Sequence, residues 1–174
     1  DPEMAARVVE KVRKATSLPI IPKLAPNISD VPRFARICEA AGADAISLIN
    51  SVPAMAIDIE TRRPLLANKT GGLTGPAIHP IAVKQVWEAA DAVEIPVIGM
   101  GGISTAEDAI EFIIAGAAAV AVGTANFTNP STSLDVIGGI EEYLLRHNMS
   151  SVSELCGSVD LSESGSQSQS ESQS

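Results

Sequence analysis

Short β-branched runs alternate with longer stretches of helical period along this chain, and that alternation restricts it to βα units around a parallel sheet. Pro2 to Thr16 sets Met4, Val8, Val9 and Val12 among charges, the spacing of an amphipathic helix. Pro19 to Leu24 reads as the first strand. Asp30 is placed to cap a helix with Pro32 in its first turn, running to Ala41 and stopping at Gly42. Asp44 to Asn50 is the second strand, Pro80 to Val93 the next helix, and Pro96 to Met100 the third strand. Ser104 or Thr105 caps a helix ending near Gly116, Ala118 to Gly123 is the fourth strand, and Leu134 to Arg146 a last helix that Gly138 and Gly139 weaken.

The connection from Ser51 to His79 is far longer than the two to six residues usual for a βα loop, which marks a functional insert or a tolerated surface insertion. Within it, Met55 to Ile59 and Pro64 to Ala67 flank Glu60-Thr61-Arg62-Arg63 as a small hairpin, so the insert spans about residues 52–78. Four βα units are too few for a (β/α)₈ TIM barrel and awkward for an open doubly wound sheet. The expectation is therefore the C-terminal half of a barrel, strands 5 to 8, occupying residues 1–149. Residues 150–174 form a Ser/Gln/Glu-rich tail, and from Ser162 onward the composition cannot offset its own ordering, so disorder is expected there.

Charge and aromatic content exclude some functions. The net charge is −9, with four of the negative charges in the tail, and aromatics make up 3% of the chain. Neither a basic surface for a duplex nor a stacking platform for single strands is available, so no nucleic acid partner is expected. The longest apolar stretches, such as Ala109 to Thr124, are broken and too short for a bilayer, so no membrane partner is expected either. Cys38 and Cys156 form neither a metal cluster nor a disulfide framework, which fits a reducing, cytoplasmic setting; no metal site is expected.

The chemistry gathers at strand ends. Ile98-Gly99-Met100-Gly101-Gly102 and Val120-Ala121-Val122-Gly123-Thr124 lie one βα unit apart, each with small residues at the C-terminal edge of a strand. Barrel enzymes commonly build a phosphate site from the loops after strands 7 and 8, where glycines admit close approach of backbone N–H groups. Tight turns alone would explain one such glycine pair; two at barrel spacing favour the phosphate site. Lys23 ends an apolar strand, where a buried ammonium needs an anionic partner, and a reduced flavin, with negative charge over N1 and the C2 carbonyl, is a candidate. A lysine reaching to water is the plainer alternative. Asn50 and Ser51 offer donor, acceptor and hydroxyl to the edge of a planar heterocycle, or make a local turn. Gly71-Gly72-Leu73-Thr74-Gly75-Pro76 can bring amides to a ligand or act as a hinge. His79 and His147, without visible partners, are read as surface or capping residues.

Lys23-Leu24-Ala25-Pro26-Asn27, Ile49-Asn50-Ser51, Ala67 to Ile78 with its Gly71-Gly72-Leu73-Thr74-Gly75-Pro76 core, Gly99-Met100-Gly101-Gly102 and Val122-Gly123-Thr124-Ala125-Asn126-Phe127 together resemble the catalytic FMN subunit of class 1B dihydroorotate dehydrogenase. The resemblance runs from about Pro2 to His147. It implies a (β/α)₈ barrel that oxidises (S)-dihydroorotate to orotate in de novo pyrimidine (UMP) biosynthesis, with hydride passing from substrate C6 to FMN N5 while a base removes the C5 proton. It further implies that Lys23, Ile49 and Gly75 contact the flavin, that Gly101, Gly102, Gly123 and Thr124 bind its phosphate, and that Asn50 and Ser51 hold the pyrimidine. Class 1B enzymes pair with a subunit carrying FAD and a [2Fe–2S] cluster that delivers electrons to NAD⁺, with a homodimer of catalytic subunits inside a heterotetramer.

The family's catalytic cysteine belongs to a loop of the N-terminal half, so no catalytic residue is expected in these 174 residues, and the chain alone is expected to be inactive and to hold FMN weakly. Two other readings are a dihydropyrimidine dehydrogenase-like FMN barrel and a non-catalytic half-barrel that binds a phosphate ligand.

Overall fold

The computed structural model describes residues 1–162, and the expected disorder of the far tail lies outside them. In chain order the elements are α1 (Pro2–Ala15), β1 (Lys23–Leu24), α2 (Val31–Ala40) and β2 (Ile46–Leu48), then the insert strands β3 (Val52–Ala54), β4 (Ile57–Asp58), β5 (Arg63–Pro64) and β6 (Gly71–Leu73). A 3₁₀ turn, Pro76–Ile78, leads to α3 (His79–Ala90), β7 (Val97–Gly99), α4 (Ala106–Ile114), β8 (Ala119–Val120), α5 (Ala125–Thr128) and α6 (Thr132–Arg146), followed by a second 3₁₀ turn, Val152–Glu154.

The four expected strands form one parallel sheet in the order β1-β2-β7-β8. Spatial order follows sequence order with no reversal, so the sheet is wound in one direction, unlike the doubly wound arrangement. Helices α1 and α2, α2 and α3, α3 and α4, and α4 and α6 pack as neighbours. Ile46, Leu48, Val86 and Phe112 are fully buried between sheet and helices, each worth about 1.5–3 kcal/mol of transfer free energy. Gly99 exists for this packing, because a Cβ there would meet Phe112 Cδ1 at 2.6 Å.

Caps fall where the sequence places them. Asp30 accepts from Arg33 N at 3.0 Å to open α2, and Gly42, at φ +98°, closes it in the left-handed region. Helix α6 runs straight through Gly138 and Gly139, starting two residues earlier than expected. Gly139 is a contact residue there, since a Cβ would collide with Ala106 of α4.

Several boundaries differ from expectation. The first strand is only Lys23–Leu24, although Asp44 N and Ser47 N still donate to Ile20 O and Pro22 O. Pro19 and Pro22 have no N–H to return the ladder. The fourth strand shortens to Ala119–Val120, and the short helix α5 follows it where the hydrophobic pattern gives no helical signal. The insert holds the expected hairpin, β4 against β5, inside a second antiparallel pair, β3 with β6, that returns the chain to the C-terminal rim of the sheet.

The division at residue 150 is corrected too. Leu155 is buried against Ile110 and Ile113 of α4, and Gly157 N donates to Ile113 O at 3.0 Å. One apolar side chain with a receptive pocket holds Ser150 to Gly157 on the body, despite the polar composition around it.

Candidate functional site

The C-terminal ends of the four parallel strands surround a cavity of about 600 Å³, within the range of small-molecule sites. Lys23, Ile49, Asn50, Ser51, Gly75, Gly101, Gly102, Gly123 and Thr124 all line it, so the rim brings together the nine residues that the resemblance assigns to flavin and substrate, whereas Gly71, Gly72 and Leu73 of the insert lie outside its lining. A second groove, of about 470 Å³, lies between α3 and α4 with Trp87, Ile114, Val159 and Leu161 on its walls. Its polar side chains are Lys84 and Glu111, and Lys84 is already paired with Glu88 at 2.6 Å. The rim, with hydroxyls, an amide, an ammonium and unused backbone donors, is the chemically equipped cavity.

The sheet sets the rim's positions. Ile49 follows a cis peptide bond with Leu48, is buried, and donates its N–H to Met100 O at 2.8 Å; Met100 N returns a bond to Leu48 O at 2.8 Å. Asn50 N donates to Leu24 O at 3.1 Å, which fixes the asparagine beside the end of β1 and leaves its side chain exposed to the cavity. Ser51 is half-buried beneath the returning insert. Gly72 makes that approach possible, because a Cβ there would collide with Ser51 Oγ.

The glycines separate into two kinds. Gly101 (φ +142°) and Gly102 (φ +76°) have backbone conformations that disfavour a side chain, and a Cβ on Gly102 would sit 2.7 Å from Gly75 O. Gly123 has no such conformation, and a Cβ there or on Gly75 meets nothing within 4 Å. Packing therefore requires glycine at 101 and 102, whereas at 123 the open space adjoins the cavity.

Backbone donors point to an anion. The N–H groups of Gly101, Gly102, Gly123 and Thr124 have no acceptor among the described residues, and such groups clustered around a cavity suit phosphate oxygens. The N-terminus of α4 is not part of this set, since Asp108 has taken it. Its carboxylate accepts from Ser104 N at 2.8 Å, Ser104 Oγ at 2.9 Å and Thr105 N at 2.9 Å, while Thr105 Oγ1 accepts from Asp108 N. Burial pushes the Asp108 carboxyl up, but the bonds from Ser104 and Thr105, helped by the nearby His79, together hold it below the usual carboxylate range.

Two expectations change. Lys23 is exposed at the cavity mouth rather than buried, and its ammonium has no ion pair among the described residues. Among the described residues no strand pairs with the outer side of β1 to cover it. His79 is the larger correction, being 9% exposed rather than a surface residue. Its Nε2 lies 3.1 Å from Glu111 Oε2, its Nδ1 3.3 Å from Gly101 O, and its ring meets Phe112 edge-on at 5.1 Å. The acid companion is 32 residues away, and only the adjacency of α3 and α4 reveals it.

The sequence matches the dihydroorotate dehydrogenase family over residues 1–144. Among curated proteins it is 54% identical over 161 residues to the "Dihydroorotate dehydrogenase B (NAD(+)), catalytic subunit" of Geotalea daltonii, covering 92% of this chain and 53% of that protein. The identically named protein of Thermodesulfovibrio yellowstonii is 51% identical over 158 residues, covering 91% and 52%. That of Desulforudis audaxviator is 54% identical over 159 residues, covering 91% and 52%. The chain spans about half the length of the curated relatives it matches.

Proposed function

Because the chain belongs to the dihydroorotate dehydrogenase family, we propose that its rim is part of an FMN site serving the oxidation of (S)-dihydroorotate to orotate in pyrimidine biosynthesis. The observation that carries this reading is the convergence of the nine rim residues, from four strand ends and the insert, on one cavity. The four unidirectional strands act as strands 5 to 8 of a (β/α)₈ barrel. Two features support that placement: among the described residues β1 pairs only with β2 and β8 only with β7, and Leu18 and Ile21, which lead into β1, and Phe127, which follows β8, are exposed. Four further βα units would cover both edges.

The residues present fit the cofactor's chemistry. Gly101, Gly102, Gly123 and Thr124 would offer N–H groups to the phosphate, and the open space at Gly123 would admit its close approach. Lys23 would supply a positive charge to a flavin ring that becomes electron-rich on reduction, and Ile49 and Gly75 would give the ring an apolar and a close-approach surface. Asn50 presents both an N–H donor and a carbonyl acceptor to the pyrimidine edge, and Ser51 adds a hydroxyl. Bound FMN would supply hydride acceptance, which none of these side chains can perform.

The base that removes the C5 proton is a cysteine of the barrel's other half, so the 174 residues alone turn over no substrate; with half of the phosphate-and-ring site they hold FMN weakly. Electrons leave through a partner subunit bearing FAD and a [2Fe–2S] cluster to NAD⁺, in a cytoplasmic heterotetramer built on a homodimer of the catalytic subunit. Among the described residues no helix is long and apolar enough to cross a membrane.

The test mixes the purified chain with FMN and dihydroorotate and follows flavin bleaching. No turnover is expected from the chain alone, and turnover is expected when the complementary half-barrel is supplied. Bleaching by the chain alone would contradict the assignment of the base to the other half. Orotate should perturb the flavin spectrum of the reconstituted protein; a response to uracil in its place would contradict the substrate.

A further inference from the structure

His79 stands behind the rim cavity, outside its lining, yet it touches the glycine turn that forms the wall. A carbonyl oxygen only accepts, so the Nδ1 that faces Gly101 O at 3.3 Å donates its hydrogen. The peptide joining Gly101 to Gly102 is trans, which sets its N–H antiparallel to its C=O. Donation from His79 to the carbonyl thus turns the Gly102 N–H away from the imidazole, toward the side where Gly101 and Gly102 line the cavity.

That peptide plane needs holding. It lies between two residues without a Cβ, at φ +142° and +76°, where rotation of the plane meets little steric resistance. Rotated by half a turn, it would present its carbonyl oxygen to an anion in place of its N–H. The ring is itself fixed on three sides: by Nε2, which in the doubly protonated ring donates to Glu111 Oε2 at 3.1 Å just as Nδ1 donates to Gly101 O, by Phe112 edge-on at 5.1 Å, and by its own place at the start of α3.

We infer that His79 is a positioning residue: it locks the Gly101–Gly102 peptide so that the Gly102 N–H faces the anionic group of the ligand, with Glu111 anchoring the ring from α4. The inference rests on the reading of the rim as a flavin phosphate site and assigns that site's orientation to a side chain that never touches the ligand.

The experiment titrates the 174-residue chain with FMN and with riboflavin, following flavin fluorescence. The ratio of the two affinities isolates the phosphate. The wild-type chain prefers FMN, and His79→Phe, which keeps an aromatic ring against Phe112 but has no donor, loses about tenfold of that preference with riboflavin binding unchanged. His79→Asn, whose amide nitrogen falls near the position of Nδ1, recovers most of it. Glu111→Gln, which leaves the imidazole in place, loses a smaller part.

Full FMN preference in folded His79→Phe overturns the inference and leaves the flavin reading intact. No preference in the wild-type chain overturns the flavin reading and the inference with it. A readout without flavin stands beside these: the ¹⁵N amide signal of Gly102 shifts or broadens in His79→Phe and in Glu111→Gln while that of Gly123 stays in place. An unchanged Gly102 signal in both variants overturns the inference.

Discussion

Gly102 and Gly123 stand one βα unit apart and are glycine for different reasons. At Gly102 the chain itself demands it, through a left-handed φ and the nearness of Gly75 O. Gly102→Ala should therefore cost about 1–3 kcal/mol of stability in a denaturant melt, with or without flavin. At Gly123 a methyl group meets open space. Gly123→Ala should leave the melt within about 0.5 kcal/mol of wild type and weaken FMN binding about tenfold in a fluorescence titration. Equal stability losses in both variants would mean that packing, not a ligand, explains Gly123. The sequence made both glycines visible, as it did Asn50 and Ser51, because small and amide residues at strand ends form a local pattern. It could not distinguish their reasons, which depend on backbone angles and on what lies across the cavity. His79 was hidden more deeply, because its partners Gly101 and Glu111 become neighbours only when βα units stack side by side.

At the scale of elements, local rules were the legible ones. Caps at Asp30 and Thr105, the stop at Gly42 and the alternation of strands and helices depend on a few consecutive residues. Strand lengths and the outer β3–β6 pair depend on partners distant in sequence, and prolines in the first strand removed N–H groups that a hydropathy pattern does not register. The α4 cap carries a pH prediction. Asp108 is held below the usual carboxylate range in the folded chain, so its contribution is complete above the ordinary carboxylate value, near pH 4, and is lost as the pH falls through its folded value. Asp108→Ala should lower stability by about 1 kcal/mol at neutral pH. Its melting temperature should also fall less than that of wild type between pH 5 and pH 3. Parallel acid profiles for the two proteins would contradict that account.

For the whole molecule, the parallel order β1-β2-β7-β8 followed from counting βα units, and the packed stretch from Ser150 to Gly157 did not. Leu155 is one apolar residue in polar surroundings, and its pocket between Ile110 and Ile113 forms only after α4 has folded. For the sheet edges, unpaired among the described residues, and for the rim, the proposed account is a sector of a flavin barrel that carries the phosphate side and part of the pyrimidine side of its site. The most direct measurement is a ¹⁵N–¹H correlation spectrum of the chain titrated with FMN. The account predicts that the shifted amides cluster at Lys23, Ile49–Ser51, Gly75, Gly101–Gly102 and Gly123–Thr124, with those around Trp87 and Ile114 unmoved. Shifts confined to the Trp87 groove, or a spectrum that saturating FMN leaves unchanged, would contradict it.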